Sequence, residues 1–170
     1  MSQTDNVFAG SIPALYDQYL GSLLFQPYGR DIADRLAYLT DGRLLETAAG
    51  TGIVTRALAA ALSNQVKIVA TDLNQPMVDH AAMQFSSSRV AWQKADALKL
   101  PFEDASFDCV VCQFGIMFVP DKLKAYREAL RVLKSGGSFM CALPCPLMTQ
   151  SGTFTREQAT ATRRLPATHQ

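Results

Sequence analysis

The chain has 170 residues, of which 48% are hydrophobic and 18% charged, with a formal net charge of +1. That length fits one domain with a substantial buried core. The near balance of charge argues against a nucleic-acid or anionic-membrane partner recognised through a broad basic surface. The opening "MSQTDNVFAG" has no basic residue and no apolar stretch, so it does not read as a secretory signal. Residues 135–155 carry no charge, but prolines, glycines and polar residues interrupt them, which excludes a membrane span. Cysteines stand at 109, 112, 141 and 145, and reduced thiols in a cytoplasm are the expectation.

In chain order, Ile12, Leu15, Tyr16, Tyr19 and Leu20 follow helical spacing after Ser11 and Pro13, and Tyr16 and Tyr19 are candidates for a lid. A second helix is predicted from about Tyr28 to Leu39, with Ile32, Leu36 and Leu39 inward. From Leu44 onward strands and helices alternate. "LLETA" is an apolar strand that runs through a glycine turn into the helix "IVTRALAAAL". "VKIVATD" is a β-branched strand ending at Asp72, followed by the helix "QPMVDHAAMQF" with Asn74 as a candidate cap. "RVAWQKAD" and "FDCVVCQF" are further strands. "DKLKAYREALRVLK" is a helix with Leu123, Tyr126, Leu130 and Leu133 on one face, closed by Lys134 and Gly136, and "GSFMCAL" is the last strand. This alternation predicts an α/β fold, a doubly wound parallel sheet with helices on both faces. Residues 1–142 read as one domain, with helices over 1–40 and the core over 43–142. Residues 143–170 hold half of the chain's threonines without clear periodicity and read as an irregular tail.

The chemistry concentrates at three successive strand ends. Gly50 and Gly52 lie between a strand and a helix N-terminus, where backbone N–H groups and the helix dipole converge on one point of the crevice. Asp72 ends the next strand, at the distance where a carboxylate accepts from a ribose diol. Asp96, followed by Ala97, ends the third. No Gly-Lys-Ser/Thr follows the turn, which rules out a P-loop. A dinucleotide site wants a third glycine where Thr55 stands, and Glu46 beside the loop suits a cationic ligand better than a pyrophosphate. Cys109 and Cys112 sit three apart on a strand and point to opposite faces, so they do not suggest a metal site.

Together "ETAAGTG", "ATDLNQPM", "KADALKLPFEDASFDCVVCQF" and "REALRVLKSGG" resemble the class I S-adenosylmethionine-dependent methyltransferases, in particular the type 11 group that includes the ubiquinone/menaquinone-biosynthesis C-methyltransferases. The resemblance covers about Arg43 to Ala142 and implies a Rossmann-like sheet of order 3-2-1-4-5. The family's first motif, E-x-G-x-G-x-G, is matched by Glu46, Ala48, Gly50 and Gly52, with alanine in place of the first glycine. Carried over, the resemblance implies that Ala48, Gly50, Thr51 and Gly52 pack against the methionine part of S-adenosyl-L-methionine. Glu46 would orient the loop or meet the amino group. Asp72 would bind the ribose hydroxyls, with Leu73 beside the adenine and Met77 either under it or in the core. Asp96 and the Ala97 backbone would meet the adenine edge. Gln113, Phe114 and Gly115 would line the site near the sulfonium. No residue identifies itself as a catalytic base. The amino-group methyltransferase motif Asn/Asp-Pro-Pro-Tyr is absent after the fourth strand, which favours a small-molecule acceptor. The tail resembles nothing in the family, so the chain reads as truncated, with the antiparallel strands that complete the family's sheet and part of the acceptor pocket expected to be missing. Two expectations follow: a fifth strand with an open edge prone to self-association, and, as the alternative function, a catalytically impaired cofactor-binding or interaction protein.

Overall fold

The structure, a computed structural model, describes residues 25–142 and 151–155. Its centre is a pair of neighbouring parallel strands, β1 (Gly42–Thr47) and β4 (Phe107–Gln113), each mostly buried along its length. Continuous apolar runs of this kind are what a parallel sheet covered on both faces requires. On one side of β1 lie β2 (Val66–Asp72) and then β3 (Val90–Lys94), both parallel. Beyond β4 lies β5 (Leu133–Ala142), also parallel. The five parallel strands therefore stand in the order β3-β2-β1-β4-β5, as the resemblance implies.

Alternation along the central strands divides the core in two. Leu44, Cys109 and Val111 face α1 (Gln26–Arg35) and α2 (Ile53–Ala61), where they pack with Ile32, Leu36, Val54 and Leu58. Leu45, Val110 and Cys112 face the opposite way, against Ala125, Ala129 and Val132 of α4 (Lys122–Val132). A further helix, α3 (Gln75–Gln84), follows β2 with Pro76 in its first turn. Asn74 takes the cap position there, but its side chain makes no capping bond.

Three expectations are corrected. Leu123 is 67% exposed, because the inward face of α4 is the small-residue stripe Ala125, Ala129 and Val132, with Tyr126 and Leu130 at its margin. The helix ends at Val132, and β5 begins directly at Leu133, which pairs with Phe107. Gly136, with φ of 76°, lies in the irregularity before regular pairing resumes at Cys109 and Ser138. Finally, the tail is not irregular throughout, since β6 (Ser151–Thr155) pairs antiparallel with β5 from Ser138 to Ala142. "SGTFT" combines β-branched and aromatic residues, and the unpaired N–H and C=O groups of β5 give such a segment a template. The expected open edge of β5 is thus hydrogen-bonded. The segment carrying Tyr16 and Tyr19 lies outside the described residues. Among the described residues no helix is long and apolar enough to cross a membrane.

Candidate cofactor site

β1 and β4 are neighbours, yet the chain leaves β1 toward β2 on one side and β4 toward β5 on the other. Their C-terminal ends flank the crevice where doubly wound sheets bind ligands. The β1–α2 loop sits at this point. Its backbone turns sharply, with φ of 54° at Ala48, 55° at Gly50 and 80° at Gly52. At Gly52 a side chain would run into the Trp92 ring, 2.5 Å from the Cβ position. At Gly50 a Cβ would meet no atom of the described residues within 4 Å. The loop is therefore packed from below at Gly52 and open at Gly50, the form of a cradle for a ligand that approaches the backbone.

Asp72 fastens this cradle to β2. Its Oδ2 accepts from the Gly50 N–H at 2.9 Å and its Oδ1 from the Asn74 N–H at 2.9 Å. The Ala49 N–H donates to the Thr71 carbonyl, and the Ala95 N–H to that of Asp72, so the loops after β1, β2 and β3 are stitched together. Burial raises the Asp72 pKa above its ordinary value, and hydrogen bonds from Asn74, Gly50 and Leu73 oppose that shift. Each carboxylate oxygen keeps acceptor capacity for another donor. A vicinal diol supplies two.

The remaining residues named from the sequence fall around this centre. Leu73, beside Asp72, is 43% exposed, an apolar side chain held in the open next to a polar anchor. Asp96 lies two residues past β3 rather than at its end, exposed, with Oδ1 accepting from the Leu98 N–H at 2.8 Å. Ala97 next to it is half-buried. Met77 is buried on α3, and Thr51 is buried in the loop with its carbonyl accepting from Arg56. Gln113 ends β4, only 7% exposed; its Nε2 donates to the Phe25 carbonyl at 3.3 Å, while Oε1 is buried with no partner among the described residues. An orphaned buried acceptor at the sheet's C-terminal edge is costly unless a donor reaches it. Phe114 turns back into the core in a left-handed conformation, its ring 4.9 Å from Tyr28 and 5.8 Å from Phe25.

Glu46 is placed differently from the loop it follows into. It is 2% exposed, and the Thr55 hydroxyl donates to its Oε2 at 2.6 Å. Desolvation lifts its pKa from 4.5 to about 8, against the pull of the Thr55 bond. Sequence reasoning used Thr55 only to reject a dinucleotide motif and missed this role. The signal was present: a carboxylate in a central strand needs a donor, and the first turn of the following helix is where one can reach it.

A methyltransferase-domain family model matches residues 45–141, more than half of the chain. The chain belongs to the type 11 group of class I S-adenosylmethionine-dependent methyltransferases. The mitochondrial 2-methoxy-6-polyprenyl-1,4-benzoquinol methylase of Drosophila melanogaster is 38% identical over 125 residues, covering 64% of this chain and 42% of that protein. A ubiquinone/menaquinone biosynthesis C-methyltransferase of Pseudomonas aeruginosa is 39% identical over 102 residues, covering 58% and 40%. The chain thus spans about two fifths of the length of these curated relatives. Among solved structures, a candidate S-adenosyl-L-methionine-dependent methyltransferase of Methanococcus maripaludis superposes with a TM-score of 0.73 at 26% identity, covering 83% of this chain and 66% of that one. The fold is shared too by the phosphoethanolamine N-methyltransferase 2 of Haemonchus contortus, with a TM-score of 0.71 at 23% identity over 82% of this chain and 34% of that one.

The donor set fits the family's cofactor. The buried Asp72 carboxylate suits ribose hydroxyls, the open backbone at Gly50 suits a closely approaching chain, and the orphaned Gln113 Oε1 suits an N–H-bearing or cationic group.

Proposed function

We propose that this chain binds S-adenosyl-L-methionine at the β1–α2 loop and directs methyl transfer to a small-molecule acceptor. The observation that carries the reading is the Asp72 carboxylate, buried at the end of β2 and joined to the Gly50 N–H at 2.9 Å. In this reading Asp72 accepts from the ribose hydroxyls and Leu73 flanks the adenine, with Met77 beneath. Asp96 and the Ala97 backbone meet its edge. Ala48, Gly50, Thr51 and Gly52 hold the methionine portion. Gln113 offers Oε1 to a donor near the reacting centre, and Phe114 fixes the wall behind it. Glu46 braces the loop through Thr55. When bound, the cofactor supplies a methyl group already activated on a sulfonium, so the protein's task is orientation and exclusion of water. A base is needed only where the acceptor must lose a proton. The names of the curated relatives make a quinol ring the first acceptor to test. The described cysteines are free thiols, which supports a reducing compartment such as the cytoplasm.

Calorimetric titration with S-adenosylhomocysteine tests the reading. Wild-type protein is expected to bind at micromolar affinity, and Asp72→Ala to lose more than tenfold, about 1.4 kcal/mol. Equal affinity in the two proteins would remove Asp72 from the site. Turnover with 2-methoxyhydroquinone then separates an enzyme from a protein that binds the cofactor without using it.

A further inference from the structure

We propose that Ala48 and Gly115 form a matched pair that seats the cofactor loop against the turn after β4, which makes Ala48 a positioning residue for the cofactor. The inference rests on the cofactor reading above and goes beyond it by assigning a role to the alanine that replaces the motif's first glycine.

Ala48 immediately follows β1, and Gly115 opens the 3-10 helix Gly115–Phe118 that follows β4. These are the two adjacent strands at which the direction of the sheet's winding reverses, so both residues stand at the floor of the binding crevice. A Cβ at Gly115 would lie 2.2 Å from the Ala48 Cβ, 3.6 Å from its Cα and 3.2 Å from the Cys112 Sγ. The Ala48 methyl thus occupies the space that a side chain at 115 would need. Gly115 is required by this close approach, whatever its own backbone preference.

The backbone conformation on both sides points the same way. Ala48 and Phe114 are left-handed, with φ of 54° and 57°, a state that is strained for a non-glycine residue. Phe114 is held there by its packing on Phe25 and Tyr28. That turn carries the Gly115 backbone toward β1, and the Ala48 methyl fills the resulting notch. A left-handed residue on each side of the Ala48–Gly115 contact, Ala48 itself and Phe114 beside Gly115, marks a seam that fixes the loop rather than a neutral replacement of glycine. The methyl matters because it sets the separation of the loop from β4 while leaving Gly50, two residues on, open to the ligand.

The test moves the methyl across the seam. Dissociation constants for S-adenosylhomocysteine and thermal midpoints would be measured for wild type, Ala48→Gly, Gly115→Ala and the double variant. Ala48→Gly should bind about threefold more weakly. Gly115→Ala should lose more than tenfold, and the double variant should return to within threefold of wild type, because one methyl again fills the seam. Val132→Ala, a core change on α4, should lower the midpoint without altering affinity, which separates positioning from general destabilisation. Gly115→Ala binding as well as wild type, or a double variant no better than Gly115→Ala, would overturn the pairing. If Gly115→Ala fails to fold, the double variant decides alone: folding and binding support the pair, and failure overturns it. Wild-type protein that does not bind would instead overturn the cofactor reading. The midpoints then still judge the seam, which is refuted if the double variant is no more stable than Gly115→Ala.

Discussion

At the scale of single residues, Glu46 shows how burial turns a motif position into a proton store. The folded chain holds its proton up to about pH 8, whereas the unfolded chain releases it near 4.5. Between those values the folded state binds more protons, so the contribution of Glu46 to stability falls as pH rises. It is complete below 4.5, lost by about 8, and changes by at most ~1.4 kcal/mol per pH unit. Thr55 on α2, Cys112 on β4, Asp72 on β2 and Arg56 are the groups that act on it. Glu46→Gln keeps an acceptor for Thr55 but cannot titrate. Its thermal midpoint should therefore be flatter than wild type between pH 5 and 8; parallel profiles would show that Glu46 is charged in the folded protein. The position of Glu46 was legible in the sequence, where it read as a partner for a cationic ligand. Its proton was not, because the shift depends on layers of sheet and helix that exist only after folding. The same applies to Cys109, whose thiol burial pushes up to about 12.

Elements are held by contacts that periodicity does not encode. The end of α2 is one such case, since its last carbonyls have no helical partners. Arg89, the residue before β3, reaches back and donates to the carbonyls of Ala59, Leu62, Ser63 and Val66. One buried guanidinium thereby ties the α2 C-terminus and the start of β2 to the approach to β3. Arg89→Ala should cost about 2–3 kcal/mol, since hydrogen bonds from charged donors contribute ~1.5–3 kcal/mol and several carbonyls would be stranded together. Urea unfolding would measure it, and a loss under ~0.5 kcal/mol, the range of ordinary surface substitutions, would mean that water replaces the arginine. From sequence alone β2 was legible residue for residue, because β-branched runs bounded by Asp and polar turns admit little else. The α4–β5 junction was not. Helix and strand meet there without a loop, and Leu133 suits either element until its pairing with Phe107 decides.

For the whole molecule the decisive question is what closes the sheet. At one side β3 is an edge strand with Gln93 and Lys94 exposed, side chains that discourage pairing with another chain. At the other side the stretch of β5 from Ser138 to Ala142 is uncharged and carries the buried Phe139, Met140 and Cys141. The sequence reading left that edge open, and β6 was not legible because it is set by antiparallel pairing across eight intervening residues rather than by a strong pattern of its own. In this arrangement β6 satisfies the backbone of β5 from Ser138 to Ala142 and completes a six-stranded sheet. A chain ending at Ala142 should keep the β1–α2 loop and Asp72 but expose that row of donors and acceptors. Sedimentation at several concentrations is expected to show self-association of the shortened chain that the 170-residue chain lacks, together with a lower thermal midpoint. Equal midpoints and a monomeric shortened chain would mean that β6 contributes neither stability nor protection, and that the edge of β5 is held apart from other molecules by something else.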